Sequence, residues 1–514
     1  MHLFRDLLPL LLAGLALAAV APGTATASPQ ATERARKFLT DHEARLRPLD
    51  IAAGLAWWNA SISGKDEDFK KKEEAQNRID EALSNRDRFK ELKEIKQLRD
   101  KGEVEDKVLA RAVDVMYLMY LEKQVDPELL KKISAKANAV EQKFNVFRAK
   151  VEGKELTDSQ VRDVLKKSGD THRRQLVWEA SKMVGVEVEK DLKELVGLRN
   201  EMAKQLGFKN FHALQLFLNE QDGEELIKLF DELDALTREP FLKAKAEIDE
   251  RLARNVNKKP EDLMPWDYHD PFFQESPAVF DANLDEPFAK ADIQQLCRNF
   301  YKGIGLPIDD VLARSDLYER PGKSPHAFCI DIDREGDVRV LGNIVPNEYW
   351  MGTMLHELGH STYSSRTIPR TVPYALRTES HILTTEGVAM QFERFSKSRL
   401  WLEKMGVAVA DPEKFGAAAE KVRKNQLLIF SRWCQVMLRF EKAMYENPGQ
   451  DLNKLWWDLV EKYQGLKRPP ERNAPDYGSK IHIVTAPVYY HNYMMGQLFA
   501  SQVHATIAKE VYAG

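Results

Sequence analysis

Residues 349–363, YWMGTMLHELGHSTY, constrain the fold of this chain more than any other stretch. His356 and His360 stand four residues apart with Glu357 between them, and most of the flanking residues are apolar. Residues four apart project from the same face of a helix on consecutive turns. The stretch therefore predicts an apolar helix that presents two imidazole rings side by side, with a carboxylate at a neighbouring position.

Two imidazoles on one helix face can bind a single metal ion, and zinc suits imidazole and carboxylate ligands. In the H-E-x-x-H pattern the zinc lowers the pKa of a water, and the glutamate takes its proton. The alternative is a pair of histidines packed in the core. It is weakened because buried imidazoles need polar partners, which the apolar neighbours do not supply from their side chains. The motif predicts one Zn²⁺ on His356 and His360, with Glu357 as the general base.

The third zinc ligand is open between two glutamates. Glu379 lies nineteen residues after His360, the spacing of zinc aminopeptidases, whereas Glu386 lies twenty-six after it, where the next long helix is predicted to begin. Spacing favours Glu379 and position favours Glu386, so these residues alone do not decide. The other glutamate could bind substrate, orient a ligand or form a surface ion pair.

The N-terminus predicts where the protein works. Arg5 precedes an apolar run from Leu7 to Ala21, and an A-x-A pattern at residues 25–27 suits a signal peptidase. The apolar run is too short for an ordinary membrane span. We therefore predict a signal peptide over residues 1–27, export to the periplasm or the extracellular space, and no stable membrane insertion.

The remainder, residues 28–514, is predicted to form a single, mainly α catalytic domain. Apolar residues recur at intervals of three and four among charges over most of residues 30–257. The only convincing β element is a small antiparallel hairpin within residues 324–347, around the turn DREGD. No linker is evident, which favours one large helical domain with two lobes around a deep central cleft. The 76 basic and 80 acidic residues nearly balance, giving no reason to expect nucleic acid as a partner.

A second polar cluster lies near the C-terminus. Residues 480–496 contain one lysine, two histidines and three tyrosines. Tyrosine or histidine can donate hydrogen bonds to the oxyanion of a tetrahedral intermediate, and lysine can bind the C-terminal carboxylate of a peptide. The plainer interpretation is that the aromatic residues pack in the core. This cluster alone is only suggestive.

Several of these pieces together resemble the angiotensin-converting enzyme family of zinc peptidyl dipeptidases. His326-Ala327 stands thirty residues before His356, as the family's His-Ala strand does, and HELGH matches the family's HEMGH. The segment ending at Arg377 matches Pro-x-Ala-Leu-Arg and precedes Glu386 by nine residues. The convincing part of the resemblance covers roughly residues 320–510, and the N-terminal half agrees more in character than in detail.

The resemblance implies roles for the remaining residues. It makes Glu386 the third zinc ligand and moves Glu379 to the substrate side. Lys480-Ile-His482 and the tyrosines 490 and 493 follow the family's order, with one extra residue between His482 and Tyr490.

By the same resemblance, His482 and Tyr493 would stabilise the oxyanion, whereas Lys480 and Tyr490 would bind the terminal carboxylate. His326 and Ala327 would line a hairpin strand that pairs with the substrate backbone.

Three positions depart from the family pattern. Asn492 replaces an arginine that binds chloride in the animal enzymes, which makes chloride dependence doubtful. Met390 replaces an aspartate that supports the zinc site from outside the ligand set. Asp267 stands near Trp266, where a carboxylate-binding glutamine is expected.

We therefore expect a zinc metallopeptidase that removes dipeptides from the C-termini of oligopeptides. The alternatives are a thimet-type oligopeptidase or a carboxypeptidase with the same helical cleft. An inactive, zinc-retaining peptide-binding protein is a further alternative, against which the intact Glu357 argues.

Overall fold

The computed structural model describes residues 28–277, 279, 280 and 282–510. The predicted signal peptide lies outside the described residues. Within these described ranges, no helix combines the length and the apolar character needed to cross a membrane.

The fold is mainly α, as the sequence predicts. The helices of the N-terminal half are α1 (Pro29–Ser63), α2 (Asp66–Leu83), α3 (Arg86–Asp100), α4 (Lys107–Glu122), α5 (Pro127–Val146), α6 (Asp158–Lys167), α7 (Thr171–Gln205), α8 (Phe211–Leu218) and α9 (Gly223–Asn255). Those of the C-terminal half are α10 (Ile293–Gly303), α11 (Asp309–Arg314), α12 (Glu348–Thr362), α13 (Ile382–Glu393), α14 (Arg399–Lys404), α15 (Pro412–Glu446), α16 (Leu452–Gln464), α17 (Ile481–Thr485) and α18 (His491–Glu510).

Two antiparallel hairpins interrupt the helices in the described residues, where the sequence predicts one. The predicted hairpin is present, with β3 (Phe328–Asp331) paired to β4 (Val338–Leu341). The other joins β1 (Ala149–Val151) to β2 (Lys154–Leu156). The expectation of a single β element is therefore wrong, because strands of three residues are too short to show an alternating pattern.

The described hydrophobic core falls into two large clusters. The first is built around α7, α9, α15 and α16, and it includes Tyr490 and Met494 near the C-terminus. The second joins α10, the β3–β4 hairpin and α12. Leu355 and Leu358, beside the motif histidines, therefore belong to the second cluster, and Tyr490 belongs to the first.

Candidate active site

Helix α12 holds the two histidines rigidly. Its first turn is capped by Asn347, whose side chain accepts a hydrogen bond from the Trp350 N–H. Met354, Leu355 and Leu358 are fully buried. Because these apolar side chains anchor the helix in the second cluster, the polar face with His356 and His360 is left half-buried.

Helix α13 can approach α12 because the motif contains glycine. A Cβ atom at Gly359 would lie 2.8 Å from Cα of Ala389, closer than real side chains come. On its other side α13 meets α18, where a Cβ atom at Gly496 would lie 2.8 Å from Cβ of Glu386. The two glycines therefore let Glu386 sit between α12 and α18.

Three ligand atoms converge at this point. The Nε2 atoms of His356 and His360 are 3.1 Å apart. Oε2 of Glu386 is 3.4 Å from the first and 3.6 Å from the second. These three side chains form the one potential metal-ligand cluster found in the described part of the chain.

The other ring nitrogens of the two histidines are already engaged. Nδ1 of His356 lies 2.9 Å from Oε2 of Glu393, and Nδ1 of His360 lies 2.7 Å from Oγ1 of Thr385. A proton on each Nδ1 satisfies both contacts and leaves each Nε2 with a free lone pair. Glu393 thus supplies the outer support that Met390 does not.

The donor set fits a zinc ion. Oε2 of Glu386 is buried without a hydrogen-bond partner, and it faces two nitrogens whose lone pairs point the same way. Three converging lone pairs with no donor among them need a cation. Zinc bonds of about 2.0–2.2 Å in a tetrahedron place ligand atoms roughly 3.3–3.6 Å apart, close to the spacings found here.

Of the two candidate glutamates, only Glu386 reaches the histidines. Glu386 lies one turn inside α13 rather than at its first residue, and its side chain is 2% exposed. Glu379 is exposed and accepts a hydrogen bond of 2.6 Å from the Thr378 hydroxyl. Its substrate-side role stays a prediction.

Glu357 is buried beside the first histidine and is 8% exposed. Burial raises the pKa of its carboxyl above the usual value, while the neighbouring His356 and His360 oppose that rise. A carboxyl with a raised pKa can accept a proton from one group and return it to another.

The residues predicted to bind an oxyanion are in contact with each other. Nε2 of His482 lies 3.1 Å from the Tyr493 hydroxyl. Burial, with help from Lys480, lowers the pKa of His482 well below its usual range, so the ring is neutral near pH 7. Burial raises the pKa of Tyr493, so its hydroxyl keeps its proton.

His326 lies close to this pair, and neither His326 nor Ala327 lies within the strand. β3 begins at Phe328, so both residues belong to the segment just before it. The ring of His326 is 5.1 Å from that of His482, edge to face. The segment before β3 thus reaches the predicted oxyanion site, while Ala327 packs against the second cluster.

Lys480 and Tyr490 meet at a residue that the sequence analysis missed. Oε1 of Gln274 accepts hydrogen bonds from Lys480 Nζ at 2.7 Å and from the Tyr490 hydroxyl at 3.3 Å. The indole N–H of Trp433 donates to the same hydroxyl at 2.7 Å. Burial lowers the pKa of Lys480 to about 8. Lysine, glutamine and tyrosine together offer the donors that a carboxylate needs.

Asp267 does not take part in this cluster. It is fully buried and accepts hydrogen bonds from Thr171, Lys258 and the Met264 backbone. Gln274, farther along the same loop, is the glutamine that contacts Lys480 and Tyr490. The proline and aromatic residues of this loop do not indicate which of its polar residues faces Lys480.

Asn492 is buried and fully engaged. Its Oδ1 accepts a hydrogen bond from Gln221 at 2.8 Å, and its Nδ2 donates to the Tyr489 carbonyl at 3.1 Å. Gln221 also lies 2.8 Å from His491. The family resemblance expects an arginine at position 492. Here Asn492 is surrounded by the Gln221 amide and the Tyr489 carbonyl, and Gln221 in turn contacts the His491 ring.

Comparison with known proteins matches the two halves of the chain to different families. Residues 29–243 match the family model described as angiotensin-converting enzyme, and residues 312–513 match that of peptidase family M3. The angiotensin-converting enzyme of Theromyzon tessulatum is 22% identical in an alignment 243 residues long, which covers 42% of this chain and 36% of that protein. Neither family model reaches half of the chain, so each match is a similarity of one part of the chain to a peptidase family.

The match to the angiotensin-converting enzyme model lies in a different part of the chain from the resemblance described in the sequence analysis, which covers roughly residues 320–510. The angiotensin-converting enzyme model matches the helical N-terminal half, whereas the half that carries His356 and Glu386 matches the M3 model. The chain spans little more than a third of the length of the Theromyzon tessulatum protein that it matches. Both models describe peptidases, which agrees with the chemistry of the three converging ligands.

Proposed function

We propose that this protein is an exported, zinc-dependent hydrolase of oligopeptides. The observation that carries the proposal is the convergence of the Nε2 atoms of His356 and His360 on Oε2 of Glu386, with both Nδ1 atoms engaged elsewhere. One zinc ion held by these three atoms would supply a Lewis acid beside the scissile carbonyl. The buried Glu357 stands beside the first ligand, where a general base is needed.

The chain's own residues divide the proton transfers and the charge stabilisation. Glu357 takes a proton from the attacking water and returns it to the leaving amine. The Tyr493 hydroxyl, which keeps its proton, and the neutral His482 ring offer hydrogen bonds to the oxyanion of the tetrahedral intermediate. Their mutual contact of 3.1 Å holds both groups on the same side of the site.

The finer activity that we propose is release of dipeptides from free C-termini. Its support is the cluster of Lys480, Gln274 and Tyr490, which has the donors to bind a terminal carboxylate. The free edge of β3 could pair with the backbone of an extended peptide, guided by His326 and Ala327. The length of the released piece is taken from the family resemblance.

A thimet-type oligopeptidase or a carboxypeptidase is the second candidate, favoured by the M3 match over residues 312–513. Mass spectrometry of products from matched peptides with free and amidated C-termini separates these activities. A peptidyl dipeptidase releases dipeptides from the free form and cuts the amidated form poorly. Equal internal cleavage of both forms would favour the oligopeptidase, and release of single residues the carboxypeptidase.

Two variants test the assigned roles. Lys480→Ala should reduce kcat/KM for free-acid peptides much more than for amidated ones, and equal losses would contradict the carboxylate assignment. Glu357→Gln should bind zinc as the wild type does and lose turnover. Retained turnover would refute the general-base assignment. Stoichiometric zinc with no cleavage of any peptide would indicate the peptide-binding alternative.

A further inference from the structure

The turn before α18 has an unusual backbone. Val488 has φ +57°, in the left-handed region that β-branched residues avoid. The residue is 2% exposed, so the conformation is fixed inside the protein. Residues held in such conformations persist where the surrounding structure fixes them, and they concentrate at functional sites.

A buried carboxyl group holds this turn. Oε1 of Glu441, on α15, accepts a hydrogen bond of 2.9 Å from the backbone N–H of Val488. Glu441 is itself 2% exposed. Burying a carboxyl group costs free energy. Here that cost is met at the group that holds the strained backbone of Val488.

The turn sends two consecutive tyrosines to different parts of the site. The Tyr489 hydroxyl donates to Oε1 of Glu386, while the Tyr490 hydroxyl contacts Trp433 and Gln274. Because Tyr489 occupies Oε1, the other oxygen of Glu386 is the one left without a partner, facing the two histidines. The half-buried side chain of Tyr489 thus determines which oxygen of Glu386 is available to a metal ion.

We infer that Tyr489 is a positioning residue for the metal ligand Glu386, and that the Glu441–Val488 hydrogen bond holds Tyr489 in place to do this. The inference rests on the proposed zinc site. No residue of the H-E-x-x-H motif takes part, so the α15–α18 side of the molecule would set the orientation of the third ligand. Outer partners of this kind commonly change metal affinity by about 10- to 100-fold when removed.

Tyr489→Phe tests the first step, with the zinc dissociation constant of the full chain measured by competition with a chromophoric chelator. The ring contact with Tyr493, 5.3 Å between centroids, is kept, and only the hydroxyl is lost. We expect zinc to bind at least about tenfold more weakly. Tyr490→Phe is the matched control, since its hydroxyl contacts Trp433 and Gln274 instead of a zinc ligand. Its zinc affinity should stay within about twofold of wild type.

Glu441→Leu and Glu441→Gln test the second step. Glutamine keeps a carbonyl oxygen to accept the Val488 N–H, whereas leucine does not. Zinc affinity should fall in the leucine variant and be largely retained in the glutamine variant. Equal zinc affinity in the leucine and glutamine variants would overturn the second step. If the leucine variant does not fold, Glu441→Met takes its place, since methionine has a similar length and no carbonyl oxygen to accept the Val488 N–H.

The possible failures are distinguishable. Equal zinc affinity in wild type and Tyr489→Phe would overturn this inference and leave the proposed peptidase intact. Equal weakening in Tyr489→Phe and Tyr490→Phe would also overturn it, since loss of either hydroxyl would then act through general packing. A wild-type protein that binds no zinc would overturn the proposed function as well. These measurements need no substrate, so they do not depend on which peptide is cut.

Discussion

Gly359 of α12 lies directly against Ala389 of α13, with no room for a side chain between them. A Cβ atom at position 359 would sit 2.8 Å from Cα of Ala389 and 3.1 Å from the ring of Phe392. The glycine of HELGH therefore has a role separate from the metal chemistry of its neighbours. It sets the distance between the helix with the two histidines and the helix with Glu386.

Gly359→Ala should force the two helices apart and weaken zinc binding as well as stability. Overpacking of this kind typically costs roughly 1–3 kcal/mol, because the clash is with backbone. Gly197→Ala on α7 is the control, since a Cβ atom there meets nothing within 4 Å. It should be neutral or stabilise the protein by up to about 1 kcal/mol. Chemical denaturation and zinc competition measure both effects, and matching behaviour of the two variants would refute the argument.

Glu386→Gln should nearly abolish zinc binding, whereas Glu379→Gln should leave zinc affinity unchanged. The first loses a charged ligand atom that faces both Nε2 atoms, and the second alters an exposed side chain. Zinc competition on both variants decides the ligand directly. Weaker zinc binding in the Glu379 variant alone would identify Glu379 as the third ligand, with the spacing of the zinc aminopeptidases.

Glu393→Gln should weaken zinc binding by about 10-fold, because the neutral amide orients the His356 ring less strongly. Met390→Leu is a suitable control on the same helix, since the Met390 side chain makes no hydrogen bond among the described residues and only its backbone carbonyl accepts one, from Arg394. Chelator competition gives both affinities. If the Glu393 variant bound zinc as tightly as wild type, the His356 ring would be held by α12 alone.

The pH dependence of substrate binding should report Lys480. Burial lowers its pKa to about 8, with Asp270 and Glu275 opposing this and Arg162 adding to it. The cation is present below about pH 8 and is lost above it. KM for peptides with a free C-terminus should therefore rise above pH 8, while KM for amidated peptides stays flat.

Lys480→Arg provides the control for that profile, because an arginine stays charged throughout this range. In this variant the KM for peptides with a free C-terminus should therefore stay constant through pH 8. An unchanged midpoint near pH 8 would assign the titration to another group.

The sequence alone predicted the parts of the site that depend on local spacing. His356, Glu357 and His360 lie on one helix, so their arrangement follows from the helical period. The sequence also predicted the β3–β4 hairpin, because its strands flank a turn rich in polar residues. The residues alone left the choice between Glu379 and Glu386 open, since that choice depends on how α13 packs against α12, and only the family resemblance selected Glu386.

The parts that were missed depend on contacts between distant segments. Gln274 lies 206 residues from Lys480 in sequence, and no local pattern links the two. Tyr489 looked like one aromatic residue among several, because its direction is set by the backbone of Val488. That backbone is in turn fixed by Glu441, 47 residues away.

Glu441 should also make the stability of the protein depend on pH. Burial raises its pKa from 4.5 to about 8, against the opposing effects of the Val488 N–H and Arg199. Between these two values the unfolded chain is ionised and the folded protein keeps the proton, so the free energy of unfolding falls as pH rises. Glu441→Gln removes this titration. The metal-free variant should therefore gain stability over metal-free wild type as pH rises from 5 to 8, by up to a few kcal/mol. Urea denaturation at several pH values measures the difference, and a constant difference across the range would show that Glu441 is ionised in the folded protein.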